Sequence, residues 1–576
     1  MATEIAPLSA GLQIVKPEKM TGARFLADAL AGYGVSHVFL VPAIASATLV
    51  ELEERTSIGR IVTHGEKAAA YMADGYARAT GKPGVCFAQA VGAANLAAGL
   101  RDAWLAGSPV IAITGGPYDE TRGRHTYQQA DDLHAFSVLT KFSEQVPSPS
   151  RLPDLLRQAF RVATTGRPGP VHLELKGHLG ELDEESAELA VVVEERFAQV
   201  PPFRPEPEPA AVDEAAQQLA AAKRPVIVAG GGVRWSGARD ELVELAEALQ
   251  APVVTSMDGK DAIPGAHPLN CGVAGIYSKK TANRVLLECD LVLFAGNAMG
   301  SQATFNWQLP LPGTPVIQLE IDPEQLGRHS PSVLPLLGDA QVTLARVRAA
   351  LPERRPNGDW LARVDEIKRE WAEEYGPLLA SDAVPLRPER LCAALSATLP
   401  DDALLVVDTG HSGMWSAHMV DLRPGQGYIR AAGSLGWAFP AGIGAKLAVG
   451  DRPVVVFTGD GGFWYHIAEL ETAVRWGVGL VVVVNDNTSL NQEIGPYTKA
   501  YGGALRGRHG ELWQFRDTDL ARVAESIGAA GIRVTRPDAL EDALGRAFER
   551  AAAQGVPHVV DIVTETSAMA PTGYIG

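Results

Sequence analysis

The chain has 576 residues, of which 46% are hydrophobic and 21% charged, and a formal net charge of −17. That length accommodates three or four domains with sizeable buried cores. The acidic balance argues against a nucleic-acid binder, which needs a basic face. No run reaches the ~18–20 apolar residues of a membrane helix, and the opening MATEIAPLSAGLQ lacks a basic region followed by an apolar core. Cys86, Cys271, Cys289 and Cys392 form no CxxC pair and sit in apolar stretches, so they read as buried free thiols of a cytoplasmic protein.

In chain order, GVSHVFLV, PGVCFAQA and SPVIAITG are predicted strands, with EKAAAYMADGYARAT and NLAAGLRDAWLAG as helices between them. A proline-rich polar spacer, VPPFRPEPEP (200–209), follows. RPVIVAGGG, APVVTS, CDLVLFAG and TPVIQLEID are the next strands, and PERRPNGD (352–359) is a second spacer. ALLVVDTG, RPVVVFTGD, GLVVVVND and HVVDIVTE complete the series. Continuous apolar strands alternating with helices imply parallel sheets covered on both faces. The expected fold is α/β, three doubly wound domains spanning residues 1–190, 205–350 and 380–576. Such sheets bind ligands at the carboxyl ends of their strands.

Several strand ends carry chemistry. IVTHGEKAAAYMADGYARAT puts Glu66 where a strand passes into a helix, and a carboxylate there can simply stabilise the helix N-terminus. RPVVVFTGD ends on Asp460, followed by Gly461, Gly462 and a helix read as FWYHIAELETAVRWG; the next strand delivers Asn487. Glycines at such a corner let backbone N–H groups approach a phosphate. A carboxylate and an amide oxygen beside them suit Mg²⁺, which shares hard oxygen ligands with phosphates. Taken alone, GDGG is also an ordinary strand–turn–helix corner. GxxxxGK[ST] is absent, which disfavours a P-loop nucleotidase, and the glycines of PVIVAGGGVRWSG do not fit GxGxxG.

Together these segments resemble thiamine-diphosphate (ThDP) dependent enzymes of the acetolactate synthase, pyruvate decarboxylase and benzoylformate decarboxylase type. GDGG with NDN resembles their cofactor fingerprint, with Asp486 in place of the usual first Asn. E-x-A-A-A-x-M-A-D-G-Y-A-R resembles the helix that opens on their essential glutamate, and Ala90-Val91-Gly92 stands where Gly-Pro-Gly is usual. The resemblance implies a pyrimidine-binding (PYR) domain, a central domain and a diphosphate-binding (PP) domain. It implies that Glu66 meets N1′ of the pyrimidine and that the Gly433 carbonyl accepts from the ring's amine. Leu435 would prop the cofactor into a bent shape, with Asn95, Gly410, His411, Gly461, Gly462 and Leu490 also lining it. Asp460, Asn487 and the carbonyl of Ser489 would hold Mg²⁺.

The substrate pocket would draw on Tyr127 and Gln128 of TYQQAD and on Leu490, Asn491, Gln492 and Glu493 after the metal loop. The implied reaction makes or breaks a C–C bond of a 2-oxo acid through an enamine (acyl-anion) intermediate. A FAD-containing oxidase and a non-catalytic member are the alternatives. Ser301 and Gln302 replace the Asp-Arg pair of true acetolactate synthases, so FAD is possible but not favoured. The resemblance further implies a homodimer or dimer of dimers, with active sites between subunits.

Overall fold

Each stretch of the chain that alternates apolar runs with helices closes into one six-stranded, all-parallel sheet. The computed structural model describes residues 12–14, 16–330, 333–352, 357–571 and 573. The N-terminal segment Met1–Gly11 and residues 353–356 of the second spacer lie outside the described residues. The chain forms two units. One holds the residues up to Pro202 with Pro440–Asp451 and Ala468–Val478; the other holds Phe203–Phe439, Arg452–Ile467 and Gly479–Gly576.

In the first unit the strands are β1 (His37–Leu40), β2 (Gly59–Val62), β3 (Gly84–Ala88), β4 (Val110–Gly116), β5 (Ser143–Val146) and β6 (Val171–Lys176), in the order β2-β1-β3-β4-β6-β5. The second unit carries two sheets. The central one comprises β7 (Pro225–Ala229), β8 (Val253–Thr255), β9 (Asn270–Val273), β10 (Leu291–Ala295), β11 (Val316–Glu320) and β12 (Val333–Leu337), ordered β9-β8-β7-β10-β11-β12. The C-terminal one comprises β13 (Leu404–Val407), β14 (Gly427–Arg430), β15 (Val454–Gly459), β16 (Val481–Asp486), β17 (Ala530–Val534) and β18 (His558–Val563), ordered β14-β13-β15-β16-β18-β17. The first and third sheets therefore wind identically, and the central sheet follows the dinucleotide-fold order.

Two helices position the first unit's chemistry. α1 (Glu66–Thr80) starts after extended Gly65 and stops at Gly81, whose φ of 76° places it in the left-handed region. α2 (Ala90–Ala106) packs beside it. A buried ion triad joins them: Arg78 donates to Asp74 one turn earlier at 2.8 Å and to Asp102 of α2 at 2.7 Å. The remaining glycine of the α1 motif serves packing, since a Cβ on Gly75 would lie 2.0 Å from the Ala441 carbonyl oxygen.

The helix read as FWYHIAELETAVRWG is two helices, Asp460–Trp464 and Glu469–Arg475. Within the first unit, the second piece directs Glu469 to the backbone N–H of His64 at 3.0 Å and Glu471 to the His64 ring at 2.8 Å. All four cysteines are free and buried. Among the described residues, no helix is long and apolar enough to cross a membrane.

Candidate active site

Glu66 is the first residue of α1 and is half-buried. Asn95 of α2 donates its amide N–H to Glu66 Oε2 at 3.2 Å. Gly92, in the first turn of α2, makes room for the same carboxyl: a Cβ there would fall 2.4 Å from Oε1. The junction before Glu66 is held from behind by the Glu469 and Glu471 contacts to His64. Position, orientation and space for one carboxylate are thus fixed by four separate residues.

TYQQAD leads into the helix Asp132–Ser137. Tyr127 is exposed and sits edge-on to the His178 ring, with centroids 6.2 Å apart. Gln128 adopts a left-handed backbone, φ 63°, and its Oε1 is buried without a hydrogen-bond partner. Asp132 Oδ2 and Glu174 Oε2 are likewise buried and unpartnered. Glu174, on β6, accepts from Gln145 at 2.6 Å, yet burial outweighs that bond and pushes its pKa up to about 7. Sequence reasoning missed Glu174, because a lone acid within VHLELK reads as an outward-facing strand residue.

In the second unit, Asp460 follows β15 and Asn487 follows β16, neighbouring parallel strands that bring the two to one sheet edge. Asp460 is buried, and its Oδ2 has no partner. Backbone N–H groups of Gly461 and Ser489 favour its ionised form, but burial and the neighbouring Asp486 prevail and raise its pKa to about 8. Asn487 Oδ1 accepts from Ser489 Oγ at 2.9 Å, and Thr488 between them is left-handed at φ 55°. Among the described residues no group of three or more His, Cys, Asp or Glu side chains is arranged to hold a metal. A cation here would draw on amide, backbone and phosphate oxygens, which is the mixed hard-oxygen set that suits Mg²⁺. The orphaned, buried Asp460 oxygen fits that role.

Asp408, after β13, ties the loops together. It accepts from Thr409 N at 2.9 Å, Gly436 N at 3.0 Å and Thr458 Oγ1 at 3.0 Å. A Cβ on Gly462 would lie 2.9 Å from its Oδ2. One buried carboxylate, raised by burial to about 6, therefore registers the DTGH, GSLG and TGDGG segments against each other. Gly433, at φ 151°, has open space where a side chain would be, and Leu435 is half-buried rather than part of a core.

His411 is buried, which lowers its pKa, and its Nδ1 contacts Asn491 Oδ1 at 2.5 Å. The Asn491 amide nitrogen donates to the Thr566 and Ala568 carbonyls at 3.2 and 3.4 Å, so both ends of that amide are engaged. Leu490 covers Gly461, where a Cβ would meet its Cδ2 at 2.5 Å, and Gln492 reaches the Tyr277 hydroxyl at 3.2 Å. Glu493 is half-buried at the end of the same turn. Asp486, which stands in place of the expected Asn, lies beside buried Asp561. Burial raises both pKa values.

The chain matches three family profiles: the thiamine pyrophosphate enzyme N-terminal TPP binding domain over residues 20–136, the central domain over 212–347, and the C-terminal TPP binding domain over 408–562. It is 33% identical to a probable acetolactate synthase large subunit of Methanocaldococcus jannaschii, covering 96% of this chain and 93% of that protein. It is 30% identical to the acetolactate synthase large subunit of Corynebacterium glutamicum, over 92% of this chain and 85% of that protein. A probable 2-ketoarginine decarboxylase of Pseudomonas aeruginosa is 34% identical over 83% of this chain and 84% of its own length. With three segments matched in order and relatives aligned nearly end to end, this chain belongs to the thiamine pyrophosphate enzyme family.

Proposed function

We propose that this protein is a ThDP- and Mg²⁺-dependent lyase or carboligase that acts on a 2-oxo acid, similar to acetolactate synthase. The observation that carries the reading is the Glu66 carboxyl, seated at the start of α1, fixed by Asn95 and given room by Gly92. Bound ThDP would supply the carbanion chemistry. Glu66 would hold and return a proton at N1′ of its pyrimidine. Asp460, Asn487 and the Ser489 carbonyl would hold Mg²⁺ against the diphosphate, and Leu435 would support the bent cofactor. Asp408 acts as a positioning residue for these loops. The relatives are named for a synthase and for a decarboxylase, which fits one shared activation step with different second halves.

We read the central domain as structural, without FAD. Two of the glycines after its first strand serve packing, because a Cβ on Gly230 would lie 2.1 Å from the Gly296 carbonyl oxygen and one on Gly232 would lie 2.7 Å from Gly296 Cα. Gln302 is taken up by Arg430, whose Nη2 donates to it at 2.9 Å. Free buried thiols fit a reducing cytoplasm.

The test is a panel of 2-oxo acids with ThDP and Mg²⁺, with products identified by mass spectrometry, on the wild type and Glu66→Gln. The variant should bind ThDP normally and lose most turnover. Wild-type turnover by Glu66→Gln on the true substrate would remove the reading. For the proposed assembly from at least two copies with shared sites, mixing Glu66→Gln with Asp460→Ala should recover activity that neither has alone. Absence of recovery after verified subunit exchange counts against shared sites.

A further inference from the structure

Within the second unit, away from the ThDP loops, the seam between the central and C-terminal sheets holds a partly open cavity of about 280 Å³. Edge strand β9 and the loop Gly265–Pro268 form one side. The helix Gly358–Leu379 and the end of the helix His411–Met419 form the other. Three lysines line it, from three different segments: Lys260, Lys279 and Lys368.

The cavity holds positive charge that its own walls do not neutralise. Lys260 Nζ has the Ala417 carbonyl at 3.4 Å, a long bond. Lys279 Nζ lies 3.7 Å from Asp421 and 3.9 Å from the centre of the Trp371 ring. Lys368 donates to the Pro268 carbonyl. Asp421 is the one carboxylate among the lining residues, and its side chain is 57% exposed. His267, also in the wall, is turned to Glu247 at 3.2 Å and accepts from Leu269 N. His418 behind Trp371 is held neutral, its pKa drawn down to about 3 by burial and by Lys279, Lys260 and Lys280. Burial likewise draws Lys260 down to about 8, against the pull of Asp421.

An oxygen anion in the cavity would meet the three ammonium groups together. The volume lies at the small end of the roughly 300–1,000 Å³ of ligand sites and suits a small ligand.

We propose that this cavity is a binding site for a small, doubly charged oxyanion, a phosphate or a dicarboxylate, held by Lys260, Lys279 and Lys368 and joining the central and C-terminal sheets. The proposal does not depend on the reaction assigned above. A ligand bound only by the folded seam stabilises it by mass action.

The experiment uses the enzyme saturated with ThDP and Mg²⁺, so that the cofactor's own phosphate site is filled. Inorganic phosphate, succinate and sodium chloride are titrated at matched ionic strength, followed by calorimetry and by the unfolding temperature. Phosphate, succinate or both should bind saturably while chloride does not, and the probe that binds names the chemistry. Lys260→Met and Lys279→Met should each weaken that binding by about tenfold or more. Lys368→Met removes the half-buried lysine of the helix Gly358–Leu379 and should weaken binding likewise; it stands in for the other two variants if they fail to fold. Absence of saturable binding by either probe would overturn the proposal, as would undiminished binding in the folded variants.

Discussion

Gly92→Ala separates the role proposed for Glu66 from ordinary packing. The added methyl would lie 2.4 Å from Glu66 Oε1, 2.7 Å from its Cδ and 2.8 Å from its Cγ. Ordinary carbon contacts begin near 3.5 Å, so the carboxyl must retreat by about 1 Å. The 3.2 Å bond from Asn95 then breaks, losing about 1 kcal/mol. Replacing a helical glycine by alanine gains about 1 kcal/mol, so the two effects nearly cancel in stability. They do not cancel in function, because a 1 Å misplacement of a reacting group costs about a hundredfold in rate. The expected result is an unfolding temperature within about 2 °C of wild type and a kcat reduced about a hundredfold at saturating ThDP. Normal turnover in a normally folded Gly92→Ala protein would refute the claim that the position of this carboxyl governs the chemistry. A large fall in unfolding temperature would show that the glycine serves the fold instead.

Asp460→Asn keeps the size of the side chain and removes the charge, so Mg²⁺-dependent ThDP affinity should fall at least about tenfold in calorimetry; an unchanged affinity contradicts the metal assignment. Arg78→Met removes the guanidinium that pairs with the buried carboxylates of Asp74 and Asp102 and should cost about 3–5 kcal/mol in denaturant unfolding. Adding Asp74→Asn and Asp102→Asn to that variant should recover part of the loss. Glu174 binds its proton more tightly folded, at about 7, than at its ordinary 4.5. The folded state therefore keeps an advantage below pH 4.5 that is lost as pH rises through 7. At about 1.4 kcal/mol per pH unit the loss is at most about 3 kcal/mol. Glu174→Gln should flatten that part of the stability profile.

The parts of the fold legible in the sequence are those with a local signature. EKAAAYMADGYARAT became α1 residue for residue, because Gly65 and Gly81 bracket a run of strong helix formers. The buried central strands, such as the valines of β16, announced themselves as continuous apolar runs. Edge strands β5 and β14 were not visible, because SEQV and GYIR are too short and too polar to stand out from a loop. The break between Trp464 and Glu469 was also hidden. The helical period carries no information that Glu469 and Glu471 would be drawn to His64, some four hundred positions earlier. At the site, the spacing of Asp460 and Asn487 was readable because adjacent parallel strands must end side by side. Asp408 as the tie between three loops, and the closeness of Asp486 to Asp561, were not readable, since each depends on partners brought in by distant strands.

The repeated winding order of the first and third sheets creates a hazard during synthesis. Two stretches that each follow the same path can exchange strands, and such misassembly is a characteristic failure of chains with repeated domains. Here more than two hundred residues separate the last strand of the first copy, ending at Lys176, from the first strand of the second, starting at Leu404. At ~5–20 residues per second a ribosome needs roughly 10–50 s to cross that interval. The earlier copy has this time to close before its look-alike emerges, and the intervening domain, wound in a different order, offers no matching template meanwhile.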